Sequence, residues 1–232
     1  MKKTWCIADV NARFIARMEH ILALYALPFD ARFPLVCFDE RPCFLIGEKM
    51  NALPLQTGRV VREHYAYQKN GSCSLLATIE PLTGLRVAEV YQQRTMLEYT
   101  LFMQQLAAKY PNAEKIRVIQ DNLNTHGEAS FYAHLPAQEA FALAERFDFN
   151  YTPCSASWLN MIEIEFSALA RQCLNRRIPT QELLAKEVLA IIKEREAKQI
   201  KITWQFSLEA ARTKLNRHYQ KVFAGNIKYK ET

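Results

Sequence analysis

Hydrophobic residues follow two different spacings along the chain and thereby predict an initial helix and a first strand. Over residues 9–25 they recur every three or four positions, which is typical of one face of an amphipathic helix. Pro28 and Pro34 interrupt this spacing, and residues 35–38 form a short apolar run that stops at Asp39. Such a run predicts a buried strand that delivers a carboxylate at its end.

An antiparallel meander is predicted next. Its three strands are residues 60–67, 72–80 and 85–91. Asn70-Gly71 is typical of a tight hairpin turn and would join the first two strands. The Pro-Leu-Thr-Gly string that ends at Gly84 predicts the turn between the second and third strands.

Beyond the meander, helical and strand-like segments alternate. Helices are predicted over residues 95–110, 139–146, 157–175, 181–197 and 207–222, and strands over residues 115–120 and 147–152. The strand at 115–120 again leads directly to a carboxylate, Asp121. This order of elements predicts an α/β fold, with one mixed central sheet and helices on both of its faces.

Composition excludes several classes of protein. The chain has 232 residues, of which 50% are hydrophobic and 23% are charged, so it is neither disordered nor fibrous. No apolar run approaches the roughly 18 residues needed to cross a bilayer, and the N-terminus lacks the apolar segment of a secretion signal. We therefore expect a cytoplasmic protein with no membrane partner.

The cysteines predict neither zinc sites nor disulfides. They lie at positions 6, 37, 43, 73, 154 and 173, and none forms a C-x-x-C pair. Structural zinc sites need closely spaced ligand pairs, and disulfides are rare in proteins without an export signal. We expect these cysteines to be small buried hydrophobic residues.

Positive charge is concentrated at the C-terminal end. The net charge is +6, but from Arg171 onward the chain carries 14 Lys and Arg against 6 Asp and Glu. A basic tail on a nearly neutral body is typical of a surface for a polyanion. A pair of lysine-rich, solvated helices explains the same charges, and on charge alone both interpretations stay open.

Carboxylates at three places in the sequence are candidates for a metal-binding or catalytic site. Asp39 and Asp121 each follow an apolar strand, and Glu163 and Glu165 lie on one predicted helix. If the two strands are neighbours, these carboxylates can converge and hold Mg²⁺ or Mn²⁺, which prefer oxygen ligands. Acids after strands are also ordinary turn residues. Helical periodicity does not distinguish Glu163 from Glu165, because each lies about 80° from the centre of the apolar face.

Three strings around these carboxylates resemble the catalytic motifs of mariner-type DDE transposases, in particular the bacterial insertion-sequence branch. They are Val-Cys-Phe-Asp-Glu at 36–40, Gln-Asp-Asn-Leu-Asn-Thr-His at 120–126 and Ser-Trp-Leu-Asn-Met-Ile-Glu at 157–163. The third motif of that family is usually Leu-Asn-Pro-Ile-Glu, with the glutamate as metal ligand, so the resemblance selects Glu163 over Glu165. The interval of 42 residues between Asp121 and Glu163 is longer than the common family interval, and an insertion near residues 134–144 would absorb the difference.

The resemblance implies an RNase H-like fold and a DNA transposition activity. Asp39, Asp121 and Glu163 are the implied catalytic residues and the ligands of two Mg²⁺ ions, for which Mn²⁺ can substitute. The implied reactions are endonuclease cleavage at the ends of an insertion sequence and then strand transfer, by which the element integrates into target DNA. The resemblance implies no covalent protein intermediate.

Further roles are expected from position. Asn160 precedes Glu163 by three residues and could orient the metal site from the same face of the helix. Asn122 and His126 flank Asp121 and could contact phosphate or a water next to the metal, although turn formation and a contact at a helix start explain them equally well. Trp158 and Trp204 are expected in the core. Six basic residues are expected to contact DNA phosphates, namely Arg171, Arg176, Arg177, Lys214, Arg217 and Lys221.

We expect three segments: an N-terminal linker helix at 1–33, the DDE catalytic domain at 34–178 and a basic helical extension of that domain at 179–232. Family members carry helix-turn-helix modules ahead of the catalytic domain, and the 38 residues that precede Asp39 are too few to form such a module. The chain is thus expected to be a catalytic half, nucleoid-associated and binding double-stranded DNA, and a homodimer when joined to its recognition module. The sequence could be the second reading frame of a transposase, an excised piece of a longer transposase or a decayed copy of one.

Two other functions stay open. A catalytically inactive, truncated remnant could act only in DNA binding or dimerisation. An RNase H-like nuclease could also act on other substrates, because a fold alone does not specify a function.

Overall fold

The computed structural model describes residues 10–49 and 65–223, whose strands form one five-stranded mixed sheet. The strands are β1 (Leu35–Glu48), β2 (Tyr67–Ile79), β3 (Arg86–Tyr91), β4 (Ile116–Gln120) and β5 (Phe147–Tyr151). Their order is β3-β2-β1-β4-β5. β2 pairs antiparallel with β1 and β3, whereas β4 pairs parallel with β1 and β5. The predicted mixed sheet is confirmed.

Eight α-helices surround the sheet in the described part of the chain. They are α1 (Ala12–Tyr25), α2 (Met96–Lys109), α3 (Glu128–His134), α4 (Ala137–Ala144), α5 (Ile162–Leu169), α6 (Gln181–Ala197), α7 (Leu208–Lys214) and α8 (Asn216–Val222). A 3₁₀ turn at Ser157–Leu159 precedes α5, and a π-helical turn at Ala170–Leu174 follows it. None of the helices within the described residues is long and apolar enough to cross a bilayer.

Alternation of side chains along the strands builds a separate core on each face of the sheet. In β1, Val36 and Phe38 are buried among apolar residues of α2, α3 and α4. Cys37 and Cys43 point to the other face, where they pack with residues of α5 and α6. Successive strand residues face opposite sides of a sheet, so β1 is buried on both faces over residues 36–38. The prediction of helices on both faces is confirmed.

A third apolar cluster joins α1 to α7 and α8. Met18 and Leu22 of α1 pack with Leu215, which lies between α7 and α8, and with residues of those two helices. Arg212 Nε donates to Glu19 Oε1 at 2.7 Å, and the Tyr219 hydroxyl donates to the same oxygen at 2.6 Å. The first helix and the last two thus pack together. The division at residues 33 and 178 stays a prediction.

The first strand is longer than predicted, because it does not end at Asp39 but continues to Glu48. Its recorded pairing with β4 ends at Cys37–Ile119, while its pairing with β2 continues. Pro42 therefore lies where β1 has a neighbour on one side only. A proline there breaks no ladder hydrogen bond, because its missing N–H can face the open side.

The hairpin turn predicted at Asn70-Gly71 is wrong, since β2 continues through both residues. The register shifts there: Leu45 pairs with Gly71 and Ile46 with Lys69, which leaves Asn70 as an extra residue in a β-bulge. Gly71 has φ +114°, a conformation that glycine adopts without steric cost. Most of the strand predicted at 60–67 lies outside the described residues.

Several predicted helices have different bounds. The helix predicted at 157–175 is interrupted, because residues 160 and 161 separate the 3₁₀ turn from α5. The helix predicted at 207–222 breaks at Leu215 into α7 and α8, and α3 was not predicted. The helices predicted at 95–110 and 181–197 are confirmed, and the first begins with a capping box formed by Thr95 and Glu98.

Four cysteines meet the expectation and one does not. Those that are buried and free are Cys37, Cys43, Cys73 and Cys173. Cys154 is exposed, and Cys6 lies outside the described residues. Cys154 is in the loop between β5 and the 3₁₀ turn, where no sheet face covers its side chain.

Candidate active site

Asp39 and Asp121 lie next to each other at one end of the parallel part of the sheet. The last recorded pair between β1 and β4 is Cys37–Ile119, and each aspartate follows it by two residues. Parallel neighbouring strands carry residues of equal offset side by side. The sheet topology therefore brings together two carboxylates that are 82 residues apart in the sequence.

Glu163 reaches the same region from α5. It lies in the first turn of that helix, directly after Ile162. The turn before the helix is tied to β1, because Asn160 Nδ2 donates to the Phe38 carbonyl oxygen at 2.7 Å. This bond holds the N-terminus of α5 against the residue that precedes Asp39.

The electrostatics of Asp39 show that the three carboxylates share one field. Burial raises the pKa of Asp39, and the charges of Asp121 and Glu163 raise it further, to about 7. A hydrogen bond from the Glu40 backbone N–H to Asp39 Oδ1, 2.8 Å long, opposes this rise in pKa without cancelling it. Closely spaced acids of this kind favour either a proton or a cation.

The side chains of Asp39, Asp121 and Glu163 are near one another, but they do not form a closed set of metal ligands. Within residues 10–49 and 65–223, no three His, Cys, Asp or Glu side chains are grouped tightly enough to hold a metal ion as they stand. The donor set itself fits a hard divalent cation, since it consists of carboxylate oxygens.

His126 is buried beside this site and bonds to two carboxylates. Its Nδ1 lies 2.5 Å from Asp121 Oδ1 and its Nε2 lies 3.4 Å from Glu40 Oε2. Tyr99 stacks on the ring at 5.1 Å and Phe38 packs edge-on at 5.2 Å. Burial lowers the pKa of His126, but the bonds to Asp121 and Glu40 outweigh it and raise the pKa to about 9.

The supporting residues differ in detail from the predictions. The His126 side chain is 1% exposed and bonds to two carboxylates, and its contact with phosphate or with a water next to the metal stays a prediction. Asn160 has an extended backbone and precedes α5, but its carbonyl oxygen accepts from the Glu163 N–H at 3.2 Å and its side-chain amide tethers the helix start; its role at the metal site stays a prediction. Asn122 is exposed in the loop after β4, and its role stays a prediction.

The structure separates the two glutamates that periodicity could not. Glu165 is 1% exposed and forms ion pairs with Arg86 at 2.9 Å and with Arg195 at 2.7 Å. Burial raises the pKa of Glu165, but the hydrogen bonds from both arginines dominate and hold it below its usual value. Glu163 is exposed and contributes to the field at Asp39. Glu165 is thus engaged in buried ion pairs, and Glu163 stays the predicted ligand.

The basic residues fall into two groups. Arg171, Lys214, Arg217 and Lys221 are exposed, as expected for phosphate contacts. The other two are engaged with carboxylates: Arg176 pairs with Glu187, and Arg177 with Glu48 at 2.6 Å.

The two tryptophans have different surroundings. Trp204 is partly buried and packs on Tyr25 at 5.3 Å. Trp158 is 39% exposed and touches the edge of Phe206 at 5.6 Å, so its expected burial in the core is wrong. The physical reason is that the 3₁₀ turn ends before α5 begins, which turns Trp158 away from the apolar face of the helix.

Sequence reasoning missed Glu40 and Arg94. Arg94 Nη1 donates to Glu40 Oε1 at 2.8 Å, and the Glu40 side chain is 6% exposed. One signal was present: neighbouring residues in a strand face opposite sides, so Glu40 had to face away from Asp39 and toward the core. Nothing in the sequence pointed to its partners.

Comparison with known proteins gives a family and a fold. The model of the family described as DDE superfamily endonuclease matches residues 34–185. No curated protein sequence gives a match. The structure of the Mos1 transposase paired-end complex with left transposon end matches 100% of this chain and 67% of its own, with 14% identity and a TM-score of 0.56.

Two further structures of the same transposase are similar. The mariner Mos1 paired end complex with Mg is 15% identical, with a TM-score of 0.53, and covers 100% of this chain and 67% of that one. The complex with Mn is 14% identical, with a TM-score of 0.55, and covers 97% and 66%. This chain spans about two thirds of the length of these solved chains.

The matched segment at 34–185 makes up more than half of the chain and contains Asp39, Asp121 and Glu163. The expected RNase H-like fold is confirmed, and the insertion-sequence branch stays a prediction. The chain belongs to the DDE superfamily endonucleases and shares the RNase H-like fold of the Mos1 transposase.

Proposed function

We propose that this chain is the catalytic domain of a DNA transposase that cuts element ends and transfers the cut strand to target DNA. The observation that carries the proposal is that Asp121 and Glu163 both raise the pKa of Asp39 electrostatically, and that all three lie inside the segment matched by the DDE family. An inactive remnant would not need to retain all three carboxylates around one shared field. We further propose that these three residues hold two Mg²⁺ ions, for which Mn²⁺ can substitute.

The residues of the chain have distinct parts in this mechanism. When bound, two divalent ions activate the attacking water or 3′-hydroxyl and stabilise the leaving oxygen. Asp39 lies within β1, two residues past its last pair with β4, Asp121 directly follows β4, and Glu163 would reach both from the first turn of α5. The amide of Asn160 fixes the start of α5 to β1. His126 fixes the Asp121 carboxylate from the protein side.

Metal binding is the first prediction. Calorimetric titration with Mn²⁺ should show binding to the wild-type chain, and both Asp39→Asn and Glu163→Gln should weaken it. The loss should exceed about tenfold, because removing even a residue that only supports a ligand costs roughly 10–100-fold in metal affinity.

Asp148→Asn is the matched control for that titration. Asp148 is an exposed aspartate in the same sheet, on β5, and its removal should leave Mn²⁺ affinity unchanged. If Asp39→Asn and Asp148→Asn bind Mn²⁺ equally well, the ligand assignment is wrong.

DNA is the partner in this proposal. The exposed basic residues of the C-terminal region would contact phosphates and so give affinity that depends on salt and little on sequence. The proposal also includes a nucleoid-associated, cytoplasmic location. A homodimer would form when the domain is joined to a DNA-recognition module.

The second prediction concerns this salt dependence. Replacing Arg217 and Lys221 by alanine should weaken binding to unrelated duplexes to the same extent, and should reduce the slope of log K against log salt by about 1–2. Fluorescence anisotropy at several KCl concentrations measures both quantities. Replacing Lys109 and Lys115, exposed lysines outside the basic region, removes the same charge as a control. An equal change in slope for both double variants would contradict a localised DNA surface.

A further inference from the structure

Three polar side chains connect β1 to the loop that carries Asp121. Arg94 donates to Glu40 Oε1 at 2.8 Å, and Glu40 Oε2 lies 3.4 Å from His126 Nε2. The other ring nitrogen of His126 lies 2.5 Å from Asp121 Oδ1. The side chains of Glu40 and His126 are only 6% and 1% exposed, so solvent barely competes for these bonds.

Asp121 has reason to need such support. It follows the last residue of β4, Gln120, and its side chain is 36% exposed. A half-exposed carboxylate on a loop samples several rotamers unless a partner holds one of them. His126 is itself held, since its ring stacks on Tyr99 and packs against the Phe38 ring at a steep angle.

Glu40 is placed to couple the two aspartates. It is the next residue after Asp39 in β1, and the alternation of strand side chains directs it to the face that contains Phe38 and His126. This segment of β1 therefore places Asp39 on one face of the sheet. On the other face it places Glu40, which orients His126, the hydrogen-bonding partner of Asp121.

We propose that Glu40, anchored by Arg94, is a positioning residue that acts through His126 to hold Asp121 at a set distance from Asp39. This inference rests on the proposed function, because it assumes that the two aspartates bind a shared metal pair. Glu40 touches neither the metal nor the DNA in this role. Its contribution is the geometry of the Asp121 carboxylate before the metal arrives.

The test measures Mn²⁺ affinity by calorimetry together with thermal unfolding of the same 232-residue chain. Glu40→Ala should weaken Mn²⁺ binding by about tenfold or more, as expected for a residue that orients a ligand. Glu40→Gln keeps an oxygen that accepts from His126 and should restore affinity to near the wild-type value. Equal losses for both variants would show that Glu40 acts through its charge, and would overturn the positioning role.

Glu48→Ala is the matched control. Glu48 lies on the same strand and also pairs with an arginine, Arg177 at 2.6 Å, but away from the aspartates. It should leave Mn²⁺ affinity unchanged. If Glu40→Ala binds Mn²⁺ as tightly as Glu48→Ala, the proposal is overturned.

A second variant covers the case in which Glu40→Ala does not fold. Arg94 is 54% exposed, so Arg94→Ala should fold and should reduce Mn²⁺ affinity by about threefold, because solvent partly screens its bond to Glu40. Wild-type affinity in Arg94→Ala would remove the anchor from the proposal. Failure of the proposed function has a different signature: Asp39→Asn would then bind Mn²⁺ like the wild type.

Discussion

Replacing Asp39 by asparagine should abolish metal-dependent DNA cleavage and, in the same protein, stabilise the metal-free fold above neutral pH. The activity should fall by about 10³-fold or more, since several kcal/mol of metal-based transition-state stabilisation would be lost. DNA affinity should stay close to the wild-type value, because Asp39 contributes no positive charge. A plasmid-nicking assay with Mg²⁺ and an anisotropy titration measure the two effects.

The gain in stability follows from the raised pKa of Asp39, about 7 in the folded protein. An unfolded aspartate ionises near pH 4, so the folded state holds the proton more tightly between pH 4 and 7. The stability contributed by that proton is complete below pH 4 and is lost as the pH rises through 7. At pH 8 the wild-type fold therefore bears the full cost of a buried, repelled carboxylate.

Asparagine carries no charge and does not bear that cost. Allowing for partial solvent screening, Asp39→Asn should be more stable than wild type by about 1–2 kcal/mol at pH 8, or roughly 2–6 °C in Tm, and by nothing at pH 4. Added Mn²⁺ should raise the Tm of the wild type and not that of the variant. A variant whose Tm difference does not change between pH 4 and pH 8 would contradict the raised pKa.

Replacing Glu165 by alanine should destabilise the fold by about 3–5 kcal/mol, because it leaves buried arginine charge without a partner. Arg86 is 1% exposed, and besides Glu165 it donates to the carbonyl oxygens of Gly84 and Ile200. Arg195 is 12% exposed and belongs to α6. Loss of Glu165 therefore disconnects β3, α5 and α6 at one point. Chemical denaturation monitored by circular dichroism measures the change in unfolding free energy.

Glu194→Ala is the control for that measurement. Glu194 lies on α6 and pairs with Lys198 at the surface, where solvent screens the pair, so its removal should leave the stability close to the wild-type value. Activity should separate the two glutamates of α5. Glu163→Gln should lose cleavage and keep stability, whereas Glu165→Ala should lose stability first. Similar stability in Glu165→Ala and Glu194→Ala would rule out the buried ion pair as a support of α5.

The backbone at Gly84 is restricted by its close packing in the region around Arg86. Its φ is +81°, and a Cβ there would lie 2.7 Å from the Ile200 carbonyl oxygen, the same oxygen that accepts from Arg86. The turn was predicted from its Pro-Leu-Thr-Gly string, and the glycine at its end is needed for close packing as well as for chain reversal. That second requirement depends on a residue 116 positions away.

Local patterns predicted most elements well, and they failed where distant residues set the local structure. The capped helix α2 and the helix α6 match their predicted bounds closely, because their spacing and caps lie within the segment itself. The turn at Asn70-Gly71 was wrong because the partner of β2 is β1. Its ladder extends the strand through a sequence that would otherwise turn.

By itself, the sequence determined the α/β class, the two aspartates that follow apolar runs and, through three motifs, the family and the preference for Glu163 over Glu165 as the predicted ligand. These features depend on residue type and on spacing, which any segment displays before it folds. Tertiary structure alone decided that Asp39 and Asp121 are neighbours. It also decided that Glu165 forms ion pairs with Arg86 and Arg195. In the same way, only the folded chain shows that His126 bonds to both Asp121 and Glu40. The physical reason is that these effects act through space. Strand pairing, burial and the field of one charge on another connect residues that come together only when the sheet forms.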